Sequence, residues 1–164
     1  MSMFTFGVNA KNQGQGIINF KGVVIDAPCG IAPESVDQSI NFGQISKAHL
    51  SASGISIKKN LDIKLINCDA ATLTGGGGVK VAFLGTIING LLNELGTVGD
   101  TGTAIVVSEA SGKLASFDGT AGVVTKLQEG NNTLRYRTWV KKATGGVLKE
   151  GDFSAVVNFN LIYE

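Results

Sequence analysis

The feature that most restricts how this chain can fold is its last stretch, Asp152–Glu164, DFSAVVNFNLIYE. Its odd positions are Phe153, Ala155, Val157, Phe159, Leu161 and Tyr163. Such alternation turns one face of an extended strand toward a core. With the sequence ending at Glu164, no following segment is expected to pair with this strand. A long apolar edge left open invites aggregation, and proteins cover such edges. The pattern therefore calls for a cover: an earlier strand of the chain, a chaperone, or another copy.

The remainder reads as all-β. At 164 residues the chain suits one domain. Its 23 glycines imply many turns and few long helices, because glycine costs about 1 kcal/mol inside a helix. Strand patterns occur at Ile17–Asp26, Ser39–Ile45, Leu61–Cys68, Val79–Ile88, Thr103–Ser108, Leu114–Phe117 and Asn132–Lys142. Turn signals separate them at Gly99-Asp100, Ser111-Gly112, Asp118-Gly119, Gly130-Asn131-Asn132, Gly145-Gly146 and Glu150-Gly151-Asp152. Only Ile87–Leu95 has a helical look, weakened by Gly90. Short strands with regular turns predict a β-sandwich or barrel.

Charge and motif content argue against most chemistry. Lys+Arg 14 against Asp+Glu 13 gives a net charge of +1, so there is no basic footprint for nucleic acid. His49, the single histidine, sits in a polar stretch read as a solvated loop, without a nearby carboxylate. Gly75–Gly78 precede Val79-Lys80 and a strand, whereas a phosphate loop needs GxxxxGK[ST] opening a helix. They read as a flexible hinge. Two cysteines and one histidine are too few for a structural zinc site. We therefore expect no enzyme, no metal or other cofactor, and no small-molecule substrate.

Cys29 and Cys68 are either a disulfide or two inert thiols. A bridge would close a loop of about 40 residues, worth roughly 4 kcal/mol. Met1–Ala10 read either as the end of a secretory signal, closing on Val8-Asn9-Ala10, or as an ordered strand. Lys11–Phe20, KNQGQGIINF, passes from polar and glycine residues into apolar ones, so it can lie extended against a neighbour's sheet edge. Such a pairing between copies, repeated head to tail without closing, makes a filament.

These residues resemble a known family. Gly14-Gln15-Gly16, Phe20-Lys21-Gly22 and Val24-Ile25-Asp26-Ala27-Pro28-Cys29 are followed by Ser35–Ser39, Phe42-Gly43-Gln44 and Ile66-Asn67-Cys68-Asp69. Gly102–Val107, Phe153-Ser154-Ala155, Asn158–Leu161 and the penultimate Tyr163 complete the ordered set, with Gly151 where the family places a glycine. The chain is similar to major pilins of the chaperone–usher pathway, of the P-type and mannose-resistant Proteus-like fimbriae.

The resemblance implies an incomplete immunoglobulin-like β-sandwich that lacks its last strand. It divides the chain into residues 1–10, an extension at 11–20 and a pilin domain at 21–164. It implies that Gly14, Gln15, Gly16, Ile17, Ile18, Asn19 and Phe20 form a donor strand, with the choice of inward face left open. It makes Gly151, Phe153, Ala155, Val157, Phe159, Leu161, Tyr163 and Glu164 the groove strand that a periplasmic chaperone holds, basic residues of the chaperone meeting the terminal carboxylate at Glu164. It also implies that Cys29 pairs with Cys68. The expected role is a structural subunit of an adhesive extracellular fimbria of a Gram-negative bacterium, exported through the periplasm. Expected partners are copies of itself, chaperone, outer-membrane usher, and adaptor or tip subunits. The alternatives are a minor adaptor subunit of the same fimbria and a stand-alone carbohydrate-binding sandwich, for which Trp139 is the one candidate platform residue, although it is expected to pack in the core.

Overall fold

The computed structural model describes residues 13–72 and 77–164. In chain order its elements are β1 (Gly30–Ile31), α1 (Pro33–Val36), α2 (Lys47–Ser51), β2 (Lys59–Cys68), a 3-10 turn (Ala70–Thr72), β3 (Gly78–Leu84), β4 (Ile87–Ile88), β5 (Leu91–Gly96), β6 (Thr103–Glu109), β7 (Asp118–Ala121), β8 (Thr125–Lys126), β9 (Gly130–Lys142) and β10 (Asn158–Tyr163). One sheet has the order β1-β2-β9-β6-β5-β4; the other is β10-β3-β7, with β8 also pairing β3. All pairings between these strands are antiparallel.

Alternation decides which side chains meet between the sheets. In β9, Leu134, Tyr136, Thr138 and Val140 are buried, while Arg135 and Arg137 are exposed. Ile63 and Leu65 of β2 and Val107 of β6 join Leu134 and Tyr136 from one sheet; Val79, Val81 and Phe83 of β3 come from the other. Phe83 stands edge-on to both Tyr136 and Phe117, with ring centroids 5.3 and 6.5 Å apart. These contacts hold the two layers in register.

Several sequence expectations fail here for physical reasons. Ile17–Asp26 and Ser39–Ile45 alternate like strands, yet neither is in a ladder. Alternation describes side chains, and a strand also needs a neighbour for its backbone. Leu114–Phe117 is not a strand: it makes the bridge from Leu114 to Ser108 and single backbone hydrogen bonds to Val107, Leu92 and Gly85. The apparent helix Ile87–Leu95 is the β4–β5 hairpin. Asn89 and Gly90, with φ of 51° and 71°, make a two-residue turn with positive φ at both positions, which Asn-Gly favours. The last strand pairs regularly only from Asn158; before it, Ser154 alone bridges to Val98. Asp118-Gly119 belongs to β7, where the Asp118 carboxylate accepts the Thr120 N–H at 2.9 Å. Asn131 and Asn132 lie inside β9.

His49 lies on α2 and not in a loop. The Ser46 hydroxyl caps that helix by accepting the His49 N–H, and His49 Nε2–H donates to the Ile55 carbonyl at 2.8 Å. The histidine thus ties down the loop that follows its helix. Met1–Ala10, together with Lys11, Asn12, Gly75 and Gly76, lie outside the described residues, so the leader reading and half of the hinge reading concern segments beyond them. Of the other half, Gly78 opens β3 and the Gly77 carbonyl accepts the Leu127 N–H, so that part is held in the sheet and is not a flexible hinge.

Cys29 and Cys68 form a disulfide across a sequence separation of 39, fastening the chain before β1 to the end of β2. Both cysteines are buried. Reduction is expected to lower unfolding free energy by about 4 kcal/mol, because a long closed loop is released in the unfolded chain. Urea titrations of the oxidised and reduced protein measure this; an unchanged midpoint would contradict it.

Candidate functional site

The sandwich is open along one side. A groove of about 780 Å³ runs between residues 37–42 and residues 153–159. Its floor includes Ile31, Leu61, Ile63, Phe83, Leu95, Ile105 and Val107, from both sheets. These are core residues in kind, reached from outside because one strand's width of cover is missing.

Both walls have the pattern of strands. Gln38, Ile40 and Phe42 are half-buried, and Asp37, Ser39 and Asn41 are exposed. On the facing wall Phe153, Ala155, Val157, Phe159, Leu161 and Tyr163 are half-buried, while every even position from 154 to 164 is exposed. Phe159 pairs opposite Phe83 and Tyr163 opposite Val79. Among the described residues, no strand pairs with the outer edge of β10, and residues 38–46 are in neither helix nor strand. Two open edges thus face each other across an apolar floor.

Few polar contacts hold the first wall. Gln38 Nε2 donates to the Asp62 carbonyl at 2.8 Å, and the Ser35 hydroxyl accepts the Lys64 N–H at 2.9 Å. Those contacts also give the wall its direction. Going from Ser35 to Phe42, it climbs β2 from Lys64 toward Lys59.

The direction matters because the molecule has two distinct ends. At the upper end lie the start of β2, the ends of β5 and β9, and the start of β6; Lys59 pairs with Thr138, Thr103 with Lys142 and Ala104 with Gly96. At the lower end lie the disulfide, β1, and Cys68 opposite Gly130. The wall at 153–163 descends, from the Ser154–Val98 bridge at the upper end to the pair Tyr163–Val79 at the lower. Glu164 sits beside Gly78 there, with its carboxylate 2.6 Å from Lys80 Nζ. Gly151, on the approach to the wall, has φ of 143° and packs near Thr101 at the upper end.

Among the described residues, the N-terminal segment 13–26 does not enter this groove. Residues 13–26 are exposed throughout and form neither helix nor strand. Gly14, Gln15, Gly16, Ile17, Ile18, Asn19 and Phe20 are all solvent-exposed, Phe20 to 90%. The segment leaves from the lower end, where the Asp69 N–H donates to the Pro28 carbonyl at 2.8 Å. The structure therefore brings the predicted groove residues together and keeps the predicted donor residues away from them.

Among the described residues, no other cluster competes as a site, and no group of His, Cys, Asp and Glu could hold a metal ion. Trp139 is on the outer face of its sheet, outside the core cluster, with Lys58 Nζ 4.6 Å from its ring centroid. That lysine covers the ring, which is not an open sugar platform. Glu94 is buried at the upper end. Its carboxylate accepts the Thr144 N–H at 2.8 Å and hydroxyl at 2.6 Å, and lies 3.3 Å from Lys141 Nζ. Burial pushes its pKa up, but the Thr144 hydrogen bonds and Lys141 together outweigh that and hold it below the ordinary value. A lowered folded-state pKa stabilises the fold above the carboxyl's unfolded pKa, near 4.5, and this contribution fades as pH falls through the folded value. Glu94→Gln is expected to flatten that part of the acid-unfolding profile, measured by circular dichroism between pH 2 and 6.

Comparison with known proteins decides the family. The family model for fimbrial protein matches residues 18–164. This chain belongs to the fimbrial protein family. It is 50% identical over 100% of its length to the Pap fimbrial major pilin protein of Escherichia coli, covering 94% of that protein. In fold it is similar to a subunit of a chaperone–usher pilus solved to explain rod uncoiling, with TM-score 0.87, 51% identity, and 93% and 98% of the two chains covered. The crystal structure of the P pilus rod subunit PapA matches with TM-score 0.79 and 51% identity, over 84% of this chain and 100% of that one. The Proteus side of the resemblance is more distant: the major MR/P fimbria protein of Proteus mirabilis is 33% identical over 94% of this chain and 87% of its own. The pilin is a structural protein and not an enzyme, its fold is the immunoglobulin-like sandwich with a missing strand, and fimbriae are extracellular appendages of Gram-negative bacteria.

Sequence reasoning does not find the first wall, Gln38–Phe42, as part of the site. Its signal is present in the alternation of Ile40 and Phe42, but that pattern gives no partner. The floor also escapes it, because the floor residues come from five strands far apart in sequence.

Proposed function

We propose that this pilin polymerises by donor-strand exchange, with Gly14–Phe20 of one copy lying in the groove of the next. The observation that carries the reading is the open apolar groove between two unpaired strand edges, in a chain whose own apolar extension is held in solvent. Each aliphatic or aromatic side chain that leaves water for the groove contributes about 2 kcal/mol, so exchange is driven by the burial that the isolated subunit lacks.

Polarity follows from the two ends. A donor running antiparallel to the wall at 153–163 ascends the groove and leaves at the upper end. The receiving copy's own extension leaves from the lower end, so successive subunits stack head to tail. A parallel donor would bring both extensions out at the same end and crowd the next addition. Before assembly the same groove strand, Phe153 to Glu164, is taken by a periplasmic chaperone, and an outer-membrane usher hosts the exchange. Residues 11–20 then act as the extension and 21–164 as the receiving domain; adaptor or tip subunits join by the same device.

A synthetic peptide of residues 13–20, added in excess to the pilin held by its chaperone, is expected to displace the chaperone and stop fibre growth. The same peptide with both Ile17 and Ile18 changed to Ser should do neither, whichever face is inward. Equal action by the two peptides would overturn the proposal.

A further inference from the structure

The stretch that forms the first wall of the groove begins in the six-stranded sheet, as β1, and has to leave it. β1 pairs only Gly30 and Ile31 with Ile66 and Leu65, and the Ala32 N–H then reaches the Lys64 carbonyl at 2.9 Å. Among the described residues, no strand lies on that side of β2 from Lys64 up to Lys59. A segment that stayed extended after Ala32 would find a bare strand edge beside it. The wall at 38–42, with its strand-like alternation, would then zip onto β2, and the groove would lose the edge that receives a donor.

Side chains take that edge instead. In a continued antiparallel ladder the Lys64 N–H would go to the Ala32 carbonyl. Here it goes to the Ser35 hydroxyl at 2.9 Å, while the Ala32 carbonyl accepts the Ser35 N–H at 2.8 Å within the turn of α1. Alternate residues of a strand direct their backbone groups to the same neighbour, so the next residue facing this side is Asp62. Its carbonyl accepts Gln38 Nε2–H at 2.8 Å and the Ser35 hydroxyl at 3.4 Å. Ser35 is only 2% exposed, so its hydroxyl is fixed in the interior. Pro33, at the start of α1, begins the turn with its φ already set. From Asp37, with φ of −138° and ψ of 104°, the backbone is extended again. By then it runs along the groove, with Ile40 and Phe42 half-buried.

We infer that Ser35 and Gln38 are positioning residues for strand exchange: by occupying the β2 edge at Lys64 and Asp62, they keep the wall at 38–42 off that edge and its backbone free for another copy's donor strand. This rests on the donor-strand reading and adds to it what holds the receiving edge open. Proteins block strand edges that would pair wrongly, and here the block is made by two side chains of the segment that would otherwise mispair. A copy whose wall lies on β2 cannot receive, so capture of a donor falls with the fraction of copies in that state.

The test uses the oxidised full-length pilin, refolded at high dilution and mixed with excess fluorescent peptide of residues 13–26, the whole described extension. Capture is followed by anisotropy. Gln38→Met keeps the reach of the side chain and removes its N–H donors. At pH 7 it is expected to capture peptide about tenfold more slowly than wild type, the worth of one hydrogen bond. Gln38→Glu should be equally slow at pH 7, because a carboxylate cannot donate to the Asp62 carbonyl. Below about pH 4.3 the carboxyl is protonated and can donate, so its rate relative to wild type should recover. Glu34, Asp37, Asp62 and Lys64 are the charged groups on the segments around residue 38. They are common to both chains, so the ratio at each pH isolates the substitution. A packing role alone predicts the same ratio at both pH values. Ser35→Ala is expected to slow capture likewise; if that chain fails to fold, the two Gln38 variants decide alone. Gln38 variants that capture peptide at the wild-type rate, or a Gln38→Glu ratio that stays low in acid, would overturn the inference and leave donor-strand exchange standing. Wild-type pilin that captures no peptide would instead sink the reading beneath it.

Discussion

A chain lacking Lys11–Ile18 is expected to form no fibres while its domain folds as before. The described part of the deleted segment, residues 13–18, is wholly exposed and in neither helix nor strand, so losing that part removes no packing from the sandwich. It removes every residue of the donor strand except Asn19 and Phe20, and two residues cannot cover a groove walled by 37–42 and 153–159. The chaperone-bound yield and the urea midpoint of that complex should match wild type, and electron micrographs should show no fibres. Fibres of normal length would mean that something other than this extension joins the copies.

The second large effect is expected at Phe159. Its ring packs against the core opposite Phe83 in the β10–β3 pair. Phe159→Asp deletes about 3 kcal/mol of packing and sets a carboxylate over an apolar floor, where a charge without a partner costs more still. For a domain whose total stability is roughly 5–15 kcal/mol, that should reduce recovery of the chaperone complex at least about tenfold. Asn160→Asp is the control. It lies one residue on, in the same strand, with its side chain in solvent, and it should behave as wild type. If both variants are captured equally, the odd-numbered face is not what the chaperone covers.

The contrast between those neighbouring positions shows what patterning can deliver. Period-two alternation over Phe153–Tyr163 is enough to identify the inward face, because a strand has only two faces and the core selects the apolar one. The same logic holds for β9, where Leu134, Tyr136, Thr138 and Val140 are buried as a set. It misleads at Ile87–Leu95, where an apolar run has helical spacing although Asn89-Gly90 carries the hairpin signal. It misleads again at Ile17–Asp26 and Ser39–Ile45, where the side-chain pattern of a strand exists without a backbone partner. In a pilin such exceptions have a cause. On the donor-strand proposal, one segment is the piece a neighbour receives, and the other is a wall that lacks the strand it would pair with.

The sequence alone determined that this is an all-β chain with an apolar final strand, no catalytic constellation and an extension able to lie along another sheet. Those properties are local: residue type, period and turn chemistry are all within reach of a few positions. The tertiary structure decided what lies opposite what. It put Gln38–Phe42 across from Phe153–Asn158, floored the gap with residues from distant strands, and sent the extension out at the end opposite the groove's upper mouth. None of these follows from period or propensity, since each depends on contacts between segments far apart in the chain. The open groove is such a property, a gap between two edges that only folding brings face to face.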